Sequence, residues 1–258
     1  LAGGVRINGS DLAAGLASGL PAHVAVTGGL AGDGGKFQRT LVWAGERVGD
    51  DVVGVVGLYG DRLRVGFGSL GGWDSFGPDR LITRSEGNVL YELDGEPALA
   101  LYKRYLGEHA AELPASGLRF PLSLRDSDPQ HRVVRTILGI DEAAGSLIFA
   151  GDVPQGHQAR LMKANVDRLI DGATGAATNT YEVVGSQPPD LALLISCVGR
   201  RLVMGQRVEE EVESVRRVLG THAALCGFYS YGEIAPFTPS VRCELHNQTM
   251  TITTLSER

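Results

Sequence analysis

The chain has 258 residues, with 24 Lys and Arg against 30 Asp and Glu, so its formal net charge at pH 7 is -6. This length buries a full core in one large domain or two smaller ones, and the acidic balance argues against a nucleic-acid binder that depends on phosphate contacts. No apolar run reaches the roughly 18 residues that cross a bilayer, and no basic and apolar signal peptide opens the chain, so we expect a cytoplasmic protein.

The first 70 residues have the pattern of one helix followed by strands. Leucines at helical spacing predict a helix over residues 9–19, and Pro21 ends it. Strands are predicted at 23–27, 39–43, 51–59 and 62–68. The glycine-rich run 28–35 lacks the Gly-Lys-Ser/Thr of a phosphate-binding loop and has no helix pattern behind it, so it does not indicate a nucleotide site.

The rest of the chain combines strands with three helices. Strands are predicted at 81–85, 88–93, 132–140, 146–149, 158–162 and 191–197, and helices from 97 to 106, from 164 or 165 to about 180, and over 208–219. The continuous apolar run 191–197 suits a strand that is buried on both faces. In the last helix we expect the valines at 208, 212, 215 and 218 to face the core and the glutamates at 209, 210, 211 and 213 to face solvent.

These elements predict a mixed α/β (α+β) fold of two lobes, each a mixed sheet with flanking helices. A boundary is expected near residue 85, which separates 1–85 from 86–258. A short internal similarity also suggests duplication. In two places a predicted helix is followed by His-x-x-x-x-Gly, an acidic residue and a strand. The histidine and the acid are His23 and Asp33 in the first place and His222 and Glu233 in the second. The duplication places Asp33 and Glu233 in equivalent turns.

The most informative stretch is formed by residues 225–236 and 244–253. An apolar run enters a glycine-bounded polar segment, Pro236 ends it, and a threonine-rich alternating segment follows. The pattern predicts strand, polar turn and strand. Side chains with hydrogen-bonding groups lie in or beside this turn: Tyr229, Ser230, Tyr231, Glu233, His246 and Asn247.

The segments GFYSYGEIAPF (227–237) and ELHNQTMTITTL (244–255) resemble the C-terminal signature of FIST domains, a family of bacterial and eukaryotic sensory domains. The resemblance continues upstream, in family order, at 26–33, 88–95, 149–154 and 194–201. It implies that 1–85 is the C-terminal part of a FIST N domain and that 86–258 is a FIST C domain. Family members usually carry a further stretch ahead of this point, so we expect the chain to lack part of the first lobe.

The resemblance implies a sensory domain that binds a small ligand and passes its occupancy to a signalling partner. We expect a site where the turn at 227–233 meets the strand end at Cys197, Arg200 and Arg201, because ligands bind beyond the carboxyl ends of strands. Glu233 would take an ammonium group and the arginines a carboxylate, which suits an amino-acid-like ligand or a small carboxylate. In the structural alternative, Glu233 caps backbone N–H groups or pairs with Arg200, and one arginine pairs with glutamates of the next helix.

Some FIST members are reported as haem-binding nitric-oxide sensors upstream of a histidine kinase or a cyclic-dinucleotide enzyme. A histidine is the usual haem ligand for that role, and the first candidate is His246, ahead of His222, His23 and His157. The alternative for each is a hydrogen-bonded structural histidine. No HxH, HExxH or CxxC spacing indicates zinc. Eukaryotic relatives that join ubiquitin-ligase complexes suggest a third function, an interaction scaffold without a ligand.

Enzymatic activity is not expected. The sequence has no GxSxG elbow and no recognisable order of cysteine, histidine and acid. On one strand, His222 and Cys226 would lie about 13 Å apart, which is too far for proton transfer. Cys197, Cys226 and Cys243 each lie in or beside an apolar run, so we expect reduced core thiols.

Overall fold

The computed structural model describes residues 1–21, 23–126, 132–185, 187–236 and 243–257. The chain forms two compact units: Leu1–Gly72 with Val166–Arg258 form unit 1, and Trp73–Asn165 form unit 2. The mixed fold class is confirmed, since both units combine strands with helices. The lobe boundary at residue 85 stays a prediction.

Unit 1 begins with short elements and one long strand: β1 (Ala2–Gly3), α1 (Gly9–Gly19), β2 (Gly28–Ala31), β3 (Val42–Ala44), β4 (Arg47–Gly49) and β5 (Leu63–Leu70). The predicted first helix and the strand at 62–68 are confirmed. Helix α1 begins after Asn8, whose side chain accepts hydrogen bonds from the backbone N–H groups of Ser10 and Asp11.

Two of the predicted strands in this part are wrong. The strand expected at 23–27 is formed instead by Gly28–Ala31, inside the glycine-rich run 28–35. A Cβ on Gly29 would lie 2.7 Å from Cγ2 of Ile195 and 3.2 Å from the carbonyl oxygen of Gly232, so the absence of a side chain lets this strand pack closely. The segment 51–59 is not a strand, and Val53 makes an isolated bridge with Ala2.

Unit 2 follows with β6 (Asp74–Ser75), β7 (Arg80–Glu86), β8 (Val89–Leu93), β9 (Glu96–Pro97), α2 (Ala98–Leu106), β10 (Leu122–Arg125), β11 (Arg132–Arg135), β12 (Ile137–Asp141), β13 (Ser146–Phe149) and β14 (Gln158–Lys163). Its sheet has the order β11-β10-β14-β7-β8-β13-β12, with β6 beside β14 and β9 beside β8. The apolar face of α2 packs into its core through Leu99, Tyr102 and Leu106. The helix predicted from 97 to 106 is confirmed, and Gly107 with φ 56° ends it.

The chain then completes unit 1 with α3 (Val166–Val184), β15 (Leu191–Cys197), α4 (Val198–Met204), α5 (Val208–Leu219), β16 (Ala224–Pro236), β17 (Cys243–His246) and β18 (Met250–Glu257). The bounds predicted for β15 and α5 are confirmed. Helix α4 was not predicted, because Arg200 and Arg201 were expected to lie at the end of the strand that Cys197 closes. Within α5 two orientations were wrong, since Glu211 is fully buried and Val212 is exposed.

The sheet of unit 1 has the order β1-β2-β16-β15-β18-β5, with β17 beside β16. Strand β15 runs parallel to β16 and antiparallel to β18. Helices α3 and α5 pack on one face of this sheet through small and branched side chains, among them Ala173, Ala176, Leu194, Val215 and Ile252. This packing makes the end of β15 a buried position, where Leu194–Cys197 are all buried.

The polar turn predicted at 227–233 is wrong, because β16 runs unbroken from Ala224 to Pro236. A Cβ on Gly227 would lie 1.8 Å from the carbonyl oxygen of Leu194, so this glycine serves close strand contact rather than a turn. Consequently Glu233 lies within a strand, and its proposed equivalence to Asp33 as a turn residue is wrong.

Among the described residues, no helix combines the length and the hydrophobicity that a membrane span requires. In the same ranges, no group of three or more His, Cys, Asp and Glu side chains is arranged to hold a metal ion.

Candidate functional site

A row of hydroxyl groups around one carboxyl group lies on a face of the unit 1 sheet, and we call it the hydroxyl track. Its centre is the fully buried Glu233. Ser230 donates its hydroxyl to Oε1 of Glu233, and Thr249 donates its backbone N–H (3.2 Å) and its hydroxyl (2.9 Å) to Oε2. The row continues from Oγ1 of Thr249 to Oγ1 of Thr251 (3.4 Å) and then to Oγ of Ser69 (2.9 Å).

The alternation of side chains along β18 places Thr253 on the same face as Thr251. Both residues are buried. Oγ1 of Thr253 has no hydrogen-bond partner among the described residues. A buried hydroxyl without a partner costs roughly 1–3 kcal/mol, so this face has hydrogen-bonding capacity that the described part of the chain leaves unused.

The carboxyl group of Glu233 has no cationic partner in the part of the chain that the structure describes. Burial raises the pKa of Glu233 to about 8, although the hydrogen bonds from Ser230 and Thr249 and the positive charge of Arg200 act in the opposite direction. Glu233 is therefore mostly protonated at pH 7, and a cation brought beside it would favour its ionised form.

Cys197 ends β15 and is fully buried near this carboxyl group. Burial, with the charge of Glu233 as the second cause, raises the pKa of Cys197 to about 12. The side chain is therefore a neutral thiol at pH 7, which does not suit a nucleophile. Cys243 is also buried, whereas Cys226 is exposed, which corrects the expectation of three core thiols.

Arg200 pairs with Glu211 and not with Glu233. Its Nε and Nη2 donate to Oε2 of Glu211 over 3.2 and 2.8 Å, and both side chains are fully buried. Nη2 also donates to the carbonyl oxygen of Leu169 (2.8 Å), and Nη1 donates to that of Gly71. The guanidinium is thus occupied by protein groups, as the structural alternative for the arginines predicted.

Tyr229 and Ser196 occupy the other oxygen of Glu211. The Tyr229 hydroxyl donates to Oε1 over 2.9 Å and that of Ser196 over 3.1 Å. Burial, followed by the negative charge of Glu211, raises the pKa of Tyr229. The exposed Arg201 lies over the Tyr229 ring, with Cζ 5.3 Å from the ring centroid. Tyr229 therefore joins the buried ion pair to the surface.

Tyr231 faces a different group of residues. Its hydroxyl donates to Oδ1 of Asp33, accepts the backbone N–H of Phe37 at 3.2 Å, and lies 2.9 Å from the carbonyl oxygen of Gly34. The ring stacks on Phe37 with centroids 4.6 Å apart. Burial and then the hydrogen bond to Asp33 raise the pKa of Tyr231 to about 12. The ring thus anchors the loop that follows β2.

Asp33 accepts the backbone N–H groups of Phe37, Gln38 and Arg39 over 2.9 to 3.0 Å. Burial acts to raise its pKa, but the hydrogen bonds from Tyr231 and from these three N–H groups outweigh it and hold the pKa of Asp33 well below its usual range. The carboxylate is therefore a fixed anion that organises its own loop.

His246 and Asn247 lie where β17 ends, and both are buried. Nε2 of His246 is 3.1 Å from the carbonyl oxygen of Ala235 on β16. The Asn247 side-chain amide donates to the carbonyl oxygen of His246 over 3.0 Å, and its Oδ1 has no hydrogen-bond partner among the described residues.

Comparisons with known proteins place this arrangement in a family. The model described as the FIST C domain matches residues 98–236, and the one described as the FIST N domain matches residues 1–96.

The chain belongs to the FIST family.

An uncharacterized protein of Methanocaldococcus jannaschii is 23% identical over 208 aligned positions, and the match covers 74% of this chain and 39% of that protein. The chain therefore matches well under half the length of this curated relative. No solved structure matches the chain. FIST domains are sensory, ligand-binding domains of signal transduction, and they are not catalytic.

Haem is a group that the family resemblance suggested, and His246 does not fit it in this arrangement. Its side chain is only 4% exposed, and its Nε2 already faces a backbone carbonyl oxygen. Iron ligation through that nitrogen would break a contact between β16 and β17. The geometry supports the structural alternative for His246.

The FIST site residues predicted from the sequence fall into separate groups within unit 1. Ser230, Glu233 and Cys197 lie together at the hydroxyl track, Tyr229 and Arg200 meet at Glu211, and Tyr231 turns to Asp33. That these residues bind a ligand stays a prediction. Four residues of the hydroxyl track were not predicted, although the regular alternation of threonine from 249 to 253 was a visible signal: Thr249, Thr251, Thr253 and Ser69.

Proposed function

We propose that this FIST chain is a small-molecule sensor whose ligand binds through an ammonium group at the hydroxyl track. The observation that supports it best is the carboxyl group of Glu233, which is fully buried with hydroxyl and backbone donors but has no ion-pair partner among the described residues. Burying a carboxyl group without a counter-ion is costly, and such groups concentrate at functional sites.

An ammonium group suits this position for two reasons. Its positive charge compensates the ionised form of Glu233, and a carboxylate has about four acceptor positions, of which Ser230 and Thr249 use three. A polar part of the same ligand would use the hydroxyl of Thr253, which has no hydrogen-bond partner within the described ranges. Binding would then release a proton near pH 7, because the carboxyl group changes from its neutral to its ionised form.

The carboxylate half of the amino-acid hypothesis has weaker support. Arg200 was expected to bind it, but the guanidinium is fully buried and occupied by Glu211 and two carbonyl oxygens. Arg201, the other predicted arginine, is exposed beside Tyr229 and would take that role. The proposed ligand class is therefore small primary amines, amino acids included, rather than small carboxylates without an amine.

We include in the proposal that ligand occupancy is passed to a signalling partner in the cytoplasm, either a kinase or a cyclic-dinucleotide enzyme, and that the chain itself is not an enzyme. A hydrogen-bonded path supports such transmission. Ser230, which bonds Glu233, also lies 3.4 Å from the carbonyl oxygen of Ser196, whose hydroxyl donates to Glu211 on α5. A change at the track would thus reach the surface of α5.

Isothermal titration calorimetry tests the proposal with a panel of amino acids, primary amines and matched amine-free carboxylates. We expect heat from members that carry an ammonium group, at least about tenfold weaker binding in Glu233→Gln, and unchanged binding in the exposed control Glu213→Gln. Titrations in two buffers of different ionisation enthalpy should show proton release. Binding that is equal in wild type and Glu233→Gln would overturn the proposed site.

A ligand-free interaction scaffold is the second candidate, and one observation favours it. Tyr231 and Arg200, two of the predicted ligand contacts, are fully engaged by groups of the chain itself. Absence of heat from every member of the panel, with the protein folded, would support this candidate over the sensor.

A further inference from the structure

The unit 1 sheet carries apolar side chains on the same face as the hydroxyl track. Strand β5 shows which face this is, because a Cβ on Gly66 or Gly68 would lie 2.8 Å or 2.1 Å, respectively, from a carbonyl oxygen of α3. Those two glycines therefore face the helices. Since side chains alternate along a strand, Phe67 and Ser69 lie on the other face, where Ser69 bonds Thr251.

The strand register places a first row of side chains across this face. It begins with Ser69, which is paired with Thr251. Thr251 is paired with Ile195, and Ile195 with Phe228. Residues paired directly across neighbouring strands share a face, and Gly29 confirms it here: a Cβ on that glycine would lie 2.7 Å from Cγ2 of Ile195 and 3.4 Å from Cζ of Phe228. The first row thus passes from two hydroxyl groups to two apolar side chains.

A second row lies two residues further along each strand, which is a distance of about 7 Å. Its hydroxyl belongs to Thr253, which is paired with Phe67 on β5 and with Leu193 on β15. The hydroxyl groups that follow β18 from Thr249, beside Glu233, to Thr253 are therefore flanked by apolar side chains on both sides.

The two apolar residues nearest to this line of hydroxyls are buried. Ile195 is 5% exposed and Phe67 is 9% exposed. Neither belongs to the three apolar cores that the described residues form. Ligand sites combine such apolar walls with a few polar groups that fix the orientation of the ligand. Here Glu233 is the polar end, and Ile195 and Phe67 supply walls on either side of β18.

We propose, resting on the function proposed above, that the ligand is a primary amine with an apolar body, which packs along β18 between Ile195 and Phe67 while its ammonium group lies at Glu233. Ile195 then determines specificity, because it lies one row away from the hydroxyls that surround the carboxyl group and would contact the body of the ligand rather than its ammonium group. A tenfold gain in affinity is about 1.4 kcal/mol, which the burial of roughly two CH₂ groups supplies.

Isothermal titration calorimetry on the full chain tests the proposal with four amines: methylamine, ethanolamine, isoamylamine and phenethylamine. We expect the wild type to bind the last two, which have apolar bodies, at least about tenfold more tightly than the first two. Ile195→Thr should remove most of that preference and leave the affinity for methylamine unchanged, because only the wall beside the body becomes polar.

The matched control is Leu194→Thr, which changes the next residue of the same strand, on the face that packs against the helices. Both variants should lose stability, but only Ile195→Thr should change the preference among the amines. Should a thermal melt show that Ile195→Thr does not fold, Ile195→Val replaces it. That variant removes one CH₂ group and should lower the preference about fourfold.

The outcomes separate this proposal from the ammonium site itself. Equal affinities for all four amines, with binding lost in Glu233→Gln, would overturn the apolar body and leave the site at Glu233 intact. A preference that Ile195→Thr leaves unchanged would also overturn it, as would an equal loss of preference in Leu194→Thr, since the effect would then come from a loosened sheet. Absence of binding by every amine overturns both proposals.

Discussion

Glu211 holds the guanidinium of Arg200 through two hydrogen bonds, of 3.2 Å from Nε and 2.8 Å from Nη2, and neither side chain has any exposed surface. The pair connects α4 to α5, and Tyr229 and Ser196 connect its carboxylate to the two parallel strands. Since a buried charge needs its partner, this ion pair makes the positions of four elements depend on one another.

Replacing Arg200 with methionine should therefore destabilise unit 1 strongly. Removal of one partner leaves the carboxylate of Glu211 buried without a cation, and we expect a loss of about 3–5 kcal/mol in the free energy of unfolding. Urea denaturation measures it. The neighbouring exposed Arg201→Met is the matched control and should cost at most about 1 kcal/mol, for its contact with Tyr229.

The double variant Arg200→Met, Glu211→Leu removes both charges and should recover much of that stability. Equal losses in Arg200→Met and Arg201→Met would show that the ion pair does not hold the helices in place.

Glu233 should make the stability of the protein fall as pH rises from about 5 to 8. Its pKa is raised from 4.5 to about 8 in the folded protein. Below pH 4.5 both states carry the proton; between 4.5 and 8 the unfolded state releases it while the folded state keeps it, and above 8 both are ionised. The fully shifted slope is about 1.4 kcal/mol per pH unit.

Chemical denaturation at several pH values checks this. The Glu233→Gln variant should lose this part of the slope, whereas the exposed control Glu213→Gln should keep it. If the wild type and Glu233→Gln have parallel curves from pH 5 to 8, the carboxyl group is not held in its neutral form.

Asp33 should contribute to the stability of the protein in a way that is lost at low pH, in contrast to Glu233. Because its pKa is lowered in the folded protein, its stabilising effect is present above the ordinary value of 3.8 and fades as pH falls below it. Tyr231→Phe removes the hydroxyl that bonds this carboxylate and should cost about 1–2 kcal/mol at pH 7. A double-mutant cycle with Asp33→Asn isolates their coupling, which we expect to shrink by pH 2 to 3. A coupling energy between Tyr231 and Asp33 that stays constant with pH would contradict this prediction.

The fold was predictable where burial and periodicity agree. The run at 191–197 and the helix at 208–219 have the predicted bounds, because a continuous apolar run and an apolar stripe each specify one element. The sensory family was recognisable from motifs spread along most of the chain. The orientation of Glu211 was not, since only its partner Arg200, 11 residues away, makes its burial possible.

The site was less predictable because its glycines were ambiguous. A sequence does not show whether glycine supplies a turn or a close approach, and at Gly29 and Gly227 it supplies the latter. The predicted turn would have brought Tyr229 and Tyr231 to one site. In the structure, the segment is a strand with a bulge beyond Ser230, and the two tyrosines bond different partners, Glu211 and Asp33.

The difference between the two uses of glycine is testable at Gly227. A Cβ there would lie 1.8 Å from the backbone oxygen of Leu194, which cannot move without separating β15 from β16. We expect Gly227→Ala to lower the free energy of unfolding by at least about 2 kcal/mol, as overpacking does in a sheet of fixed spacing. Gly28→Ala is the matched control, also within a strand of this sheet, because a Cβ on Gly28 would meet nothing within 4 Å. Thermal and urea unfolding compare the two. If both alanine variants are equally stable, the two strands have room for a side chain, and the glycine-bounded segment would again be open to interpretation as a flexible turn.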